Sequence, residues 1–257
     1  MNRSETLYMR ELPVRIANNL IQKSQLDLTA AQFDILTHII SMVKPTEQPG
    51  HIYELYIKDY YEMKGCDKRS GGNYADFKSN IDAIDKLRFW IKIGEKKTRL
   101  QWFHILRIDE GSGTIEVSFN DDVVPYLYNL TGTYTERAKI NGLVLESKYS
   151  KFLYYYLCSN ANRGGITVSI EDFCKEACPN KYKEYKDIKR RVLDVAKAEI
   201  NALTDIVFLY EPQKRGGSRK YTHIKFTIVE KAMTDEAKKM RRDRANAILD
   251  KGGKDDK

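Results

Sequence analysis

Apolar positions along this chain pass from a helical period to a strand period and back, and they do so twice in the same order. In the first half, Phe33, Leu36, Ile39 and Ile40 stand at helical spacing within residues 29–43, with Thr29 placed to cap the helix. A strand is predicted over residues 52–57, and Lys58-Asp59-Tyr60-Tyr61 opens a short helix. After the turn-rich residues 65–73, a longer helix is predicted over 74–87 with Phe77, Ile81 and Ile84 on one face. Alternating segments at 89–93 and 102–108 flank Lys96-Lys97-Thr98-Arg99 and predict a β-hairpin.

The second half repeats the series. A helix over 148–160, a strand over 166–169 and a short helix opened by Ile170-Glu171-Asp172-Phe173 lead to a long helix over about 182–203. Alternating residues 206–210 and 221–228 then flank the tip Lys214-Arg215-Gly216-Gly217-Ser218-Arg219-Lys220. Ile57-Lys58-Asp59-Tyr60 corresponds to Ile170-Glu171-Asp172-Phe173, and Tyr74-Ala75-Asp76-Phe77 to Tyr185-Lys186-Asp187-Ile188. Helix, strand, short helix, long helix, hairpin is the order of a winged helix, whose third helix enters the DNA major groove. The predicted fold class is therefore α+β, with two tandem winged-helix domains: residues 1–132, residues 133–231, and a basic, flexible tail at 232–257.

Charge then separates the two halves. Net charge is +8, yet residues 1–140 hold 19 Lys+Arg against 19 Asp+Glu, while residues 141–257 hold 25 against 17. A polyanion is expected to meet the second half first. At 100° per residue, Ile188, Val192, Val195, Ala196, Ile200 and Leu203 form the core side of the long helix, and Lys183, Lys186, Arg190, Lys197 and Asn201 face outward. Long cations on that face suit phosphates and guanine edges. The cations of the tip, Lys214, Arg215, Arg219 and Lys220, suit a phosphate backbone. The matching helix of the first half is nearly neutral, so only backbone contacts are expected there, from Lys68, Arg69, Lys78, Lys96, Lys97 and Arg99.

Other chemistry finds little support. His38, His51, His104 and His223 stand singly, and neither a phosphate-binding glycine loop nor a zinc-type cysteine spacing occurs. The expectation is no catalytic residue, no cofactor and no metal, which disfavours a rolling-circle initiator that nicks DNA with a tyrosine. Cys66, Cys158, Cys174 and Cys178 are too few and irregular for a disulfide framework, and Cys174 and Cys178 are expected to be buried thiols. With no apolar run of membrane-spanning length, a cytoplasmic protein is expected. A winged-helix transcriptional regulator remains open on these residues alone.

The second half also resembles the plasmid replication initiators, tandem winged-helix proteins that bind origin repeats called iterons. The resemblance rests on Leu145-Glu146-Ser147-Lys148-Tyr149-Ser150, Leu153-Tyr154, Phe173, Tyr185, Lys189-Arg190-Arg191-Val192-Leu193, Ala196, Glu199-Ile200-Asn201 and the stretch 224–228. It implies an initiator of theta-type replication that binds iterons as a monomer and represses its own promoter as a dimer. It further implies a homodimer through the first domain, host replication proteins as partners, and Lys183, Lys186, Lys189, Arg190 and Arg191 as the DNA-reading cations.

Overall fold

The computed structural model describes residues 2–66, 71–178, 181–182, 184–217, 219–231 and 234–252. Lys68, Arg69 and Lys183, expected above to contact DNA, lie outside the described residues. The chain opens with α1 (Arg3–Glu11), β1 (Pro13–Ala17) and α2 (Asn18–Lys23), which the periodicity did not reveal. The first repeat follows as α3 (Ala30–Ile40), β2 (Tyr53–Tyr56), α4 (Ile57–Lys64) and α5 (Gly71–Lys86). Thr29 caps α3 through a reciprocal box with Gln32, satisfying two amides that the helix start leaves open.

The predicted hairpin differs from the one observed. β3 (Arg88–Ile93) turns at Gly94, φ +58°, and pairs with β4 (Lys96–Gln101), so that Ile93 lies opposite Lys96. Lys96, Lys97 and Arg99 are thus strand residues rather than a tip. The residues placed in the partner strand instead form β5 (Phe103–Asp109), which pairs with β6 (Thr114–Phe119). A tight turn that only a left-handed residue closes was hidden inside a run of cations.

The second repeat is joined to the first by β7 (Tyr134–Ala138) and α6 (Ile140–Leu143). It comprises α7 (Lys148–Cys158), β8 (Gly165–Ser169), α8 (Ile170–Ala177), α9 (Tyr185–Ile188), a π-helical turn (Lys189–Leu193), α10 (Asp194–Leu203), β9 (Ile206–Gln213) and β10 (His223–Glu230). The two three-stranded sheets have the same order, β2-β6-β5 and β8-β10-β9, each with the last strand in the middle. The repeat read in the sequence is therefore a repeat of topology, and the β3–β4 hairpin is an insertion into the first copy.

The two copies are packed into one body. β1 pairs with β7 across the expected domain boundary. Every residue of α7 from Tyr149 to Cys158 is buried, as a helix wedged between both modules requires. Within this seam Lys151 donates to Asp34 Oδ1 at 2.5 Å and to the Gly142 carbonyl at 2.8 Å, and Lys64 meets the other Asp34 oxygen at 2.8 Å. Lys139 is fully buried against His38 Nδ1 at 2.9 Å and Ser41 Oγ at 3.0 Å, with no carboxylate paired to it among the described residues.

Where a flexible tail was expected, α11 (Asp235–Gly252) folds back onto the first domain. Ala245 and Leu249 are buried, and Arg10, itself fully buried, donates to the Met63 carbonyl, Asn246 and Asp250. Gly65, φ +78°, closes α4 there, and a Cβ on it would sit 1.9 Å from the Leu249 carbonyl oxygen. The composition suggested a solvated tail because most of α11 is charged. Two apolar positions and a set of ion pairs suffice to dock it.

Among the described residues no helix is long and apolar enough to cross a membrane, and no group of three or more His, Cys, Asp or Glu is arranged to hold a metal ion. Among the described residues the four cysteines form no disulfide: Cys158 and Cys178 are buried, whereas Cys66 and Cys174 are only partly so.

Candidate nucleic-acid interface

The long helix of the second module runs from Tyr185 to Leu203, a few residues shorter at its start than the periodicity suggested. Its π-helical turn inserts an extra residue, the Asp194 amide bonding back to the Lys189 carbonyl. That extra residue rotates the face beyond it. Leu193 becomes fully buried with Ile188, Val192, Ala196 and Ile200, while Val195, assigned to the core by regular spacing, is 36% exposed.

The cations divide into two groups. Lys186, Lys189, Arg190 and Arg191 all project to solvent around the π turn. Lys189 pairs with Asp194 at 2.7 Å, Arg190 with Asp187 at 3.3 Å, and Arg191 lies over the Tyr182 ring at 6.0 Å. These exposed pairs are weak and exchangeable for phosphate. Lys189 and the Tyr210 hydroxyl together hold the Asp194 carboxyl below the usual carboxylate range. Lys197 and Asn201 belong elsewhere. Lys197 is half-buried over Tyr210, and Asn201 donates to the Phe208 carbonyl at 3.0 Å while accepting from the Phe208 amide at 2.9 Å. Asn201 pins the helix to β9 with both amide atoms engaged, a structural duty that its expected DNA-reading role did not include.

Glu199 has a comparable duty. Its carboxylate accepts from the backbone amides of Glu146 and Ser147 at 3.0 and 3.3 Å, fastening the start of α7 to α10. Several residues that carried the family resemblance are therefore scaffold.

The wing places Lys214, Arg215, Arg219 and Lys220 in the exposed connection between β9 and β10. Lys214 lies over Tyr221 at 5.6 Å, and Tyr221 packs against Tyr185, ring centroids 5.1 Å apart. The chain Lys214–Tyr221–Tyr185 joins the wing to the first turn of the helix and brings the two cation sets to one surface. Tyr185 carried part of the family resemblance but had no expected role at this surface. Its hydroxyl is buried without a partner among the described residues, as is that of Tyr74 at the equivalent place in the first module. The repeated Tyr-x-Asp spacing was the available signal.

The first module differs in sign. Its wing, β5–β6, ends in Asp109 and Glu110, and Lys78 is ion-paired with Glu110. Asp109 is held below its usual range by the Ser112 hydroxyl and the Gly111 and Ser112 amides. An acidic wing repels phosphate, so the neutral character inferred from α5 extends to the whole of this face. Lys97 and Arg99 lie on the inserted hairpin over the Trp90 ring, at 4.6 and 5.9 Å.

Residues 13–158 match the family profile described as initiator replication protein, WH1, and residues 169–228 the profile described as initiator Rep protein, WH2. The chain belongs to this family of replication initiators. The initiator's fold is also similar to that in "Crystal structure of Pi initiator protein in complex with iteron DNA", with a TM-score of 0.71 and 18% identity over 87% of this chain and 99% of that one. Two tandem winged helices are thus the architecture of the initiator.

Proposed function

We propose that the initiator starts plasmid replication by binding repeated duplex sequences at its origin, with the second winged helix as the base-reading module. The observation that carries this reading is the run Lys186, Lys189, Arg190 and Arg191, exposed around a π turn and joined through Tyr185 and Tyr221 to a wing bearing four cations. Lys186 and Arg190 reach base edges, while Lys189, Arg191 and the wing hold phosphates. Family membership and the solved complex of Pi with iteron DNA support repeated origin sites as the target.

In this reading the initiator acts by binding and recruits the host replication proteins that supply helicase chemistry. The first winged helix, with its acidic wing, serves protein contacts, including a homodimer that represses the initiator's own promoter. A footprint tests the function: protection of several direct repeats beside an origin supports it, whereas a lone inverted repeat at a promoter would replace it with a regulator. Light scattering at the same concentrations reports the dimer separately.

A further inference from the structure

The inserted β3–β4 hairpin has two dissimilar faces. Phe89, Ile91 and Leu100 point inward and are buried, with Phe89 stacked on Trp102 at 4.9 Å. The outward face carries Arg88, Trp90 and Lys92 on β3, opposite Gln101, Arg99 and Lys97 on β4. Trp90 is 38% exposed, at the centre of four cations. Burying that indole inward would have been favourable, so its exposure on a solvent face calls for a partner.

The electrostatics say which kind. Lys97 and Arg99 are drawn over the indole by its ring quadrupole. Among the described residues none of Lys92, Lys97 and Arg99 is paired with a carboxylate, unlike Lys189 and Arg190 of the long helix. Two residues along a strand span about 7 Å, on the order of one nucleotide of an extended chain. A base stacked on Trp90 would therefore have cations on either side, where its neighbouring phosphates fall. Duplex DNA cannot use this face in that way, because its bases are already stacked on one another.

The face also opens into a groove. Lys92 and Lys97 form one wall of a cleft of about 990 Å³ between the hairpin and the second module, and Lys175, Arg215 and His223 stand on the other wall. The cleft also holds three acids, Glu95, Asp172 and Glu176. Asp172 lies 3.6 Å from Lys175, and burial pushes Glu176 up to about 8 despite nearby Lys23, leaving it largely uncharged at neutral pH.

We propose that the outer face of the β3–β4 hairpin, centred on Trp90 and continued by the Lys92–Lys97 groove, binds single-stranded DNA by stacking an unpaired base and gripping the flanking phosphates. The stacking face lies apart from the duplex-reading helix, and Arg215 of the wing stands across the groove from it. It rests on the origin-binding reading only for the source of the strand, one side of a duplex opened beside the repeats.

The test uses the full chain with a short oligothymidylate, and separately with a duplex origin repeat. Trp90 and Trp102 are the only two tryptophans, and Trp102 is 1% exposed, so stacking is read directly as quenching of Trp90 emission. Oligothymidylate is expected to quench that emission, with an affinity that falls as salt rises. Trp90→Ala is expected to lose about tenfold in single-strand affinity and nothing on the duplex, while Trp90→Phe keeps most of the binding. Should Trp90→Ala disturb the fold, Lys97→Glu with Arg99→Glu alters only exposed positions and is expected to weaken the same complex. No binding of oligothymidylate by the unaltered chain, undiminished binding by these variants, or an equal loss on the duplex would overturn the proposal. Failure of the duplex repeat alone to bind would instead overturn the origin-binding reading.

Discussion

Lys186 and Asn201 stand on one helix and meet different fates, decided by what each side-chain end can reach. Lys186 has no partner among the described residues, and Arg190 has only a weak exposed carboxylate. Arg190→Ala or Lys186→Ala is expected to cost about 1–3 kcal/mol of specific duplex binding with little change in stability, checked by fluorescence anisotropy beside thermal melts. Asn201→Ala is expected to do the reverse, leaving intrinsic DNA contacts in place but costing about 1–3 kcal/mol of stability, because the Phe208 amide and carbonyl lose their partner. Cationic character on an exposed helix face is legible from sequence; a polar group's partner seven residues away on the next strand is not. The buried lysine adds a pH signature. Burial depresses Lys139 to about 7 from 10.5, so between those values the unfolded chain holds a proton that the folded one lacks. Stability contributed there is full above about 10.5, falls as pH drops to about 7, and is flat below. His38 is depressed well below 6.5 by burial and by Lys139, extending the loss into acid. In Lys139→Met the slope between pH 7 and 10.5 is expected to flatten in urea denaturation series.

At the level of elements, the repeat was legible because each winged helix spells its order in periodicities, and both sheets share one topology. Two features that escaped have identifiable causes. The π turn breaks the 3.6-residue period on which helical projection depends, which is why Leu193 and Val195 exchanged places. The β3–β4 insertion escaped because its turn needs only Gly94 and its second strand is polar on all but Leu100, so alternation there is faint. The basic wing lies between the two strands that the alternation indicated, and its cations are exposed. Replacing Lys214, Arg215, Arg219 and Lys220 by Ala is expected to weaken specific and random duplex binding alike. The slope of log affinity against log salt should become shallower by about 0.9 for each phosphate that the variant no longer neutralises, and an unaltered slope would show that the wing faces away from DNA.

Across the whole molecule, the charge asymmetry between modules was legible in the sequence, but the seam between them left no mark in the pattern. Division at residue 132/133 separates β1 from β7, Asp34 from Lys151 and His38 from Lys139. Fragments 1–132 and 133–257 are therefore each expected to melt without a cooperative transition, since each strands a buried charge or an open strand edge. The full chain should show one transition, coincident by circular dichroism and tryptophan emission. Two separate transitions would contradict a shared core.

The docked helix α11 has a consequence for the order in which the initiator becomes complete. Arg10 precedes Asn246 and Asp250 by 236 and 240 residues, so its buried guanidinium finds these partners only after both winged helices have been translated. At about 5–20 residues per second, the first domain waits on the order of ten seconds or more with an unsatisfied cation at its base. A chain cut short upstream of α11 would carry both winged helices but lack this closure, leaving Arg10 without Asn246 and Asp250.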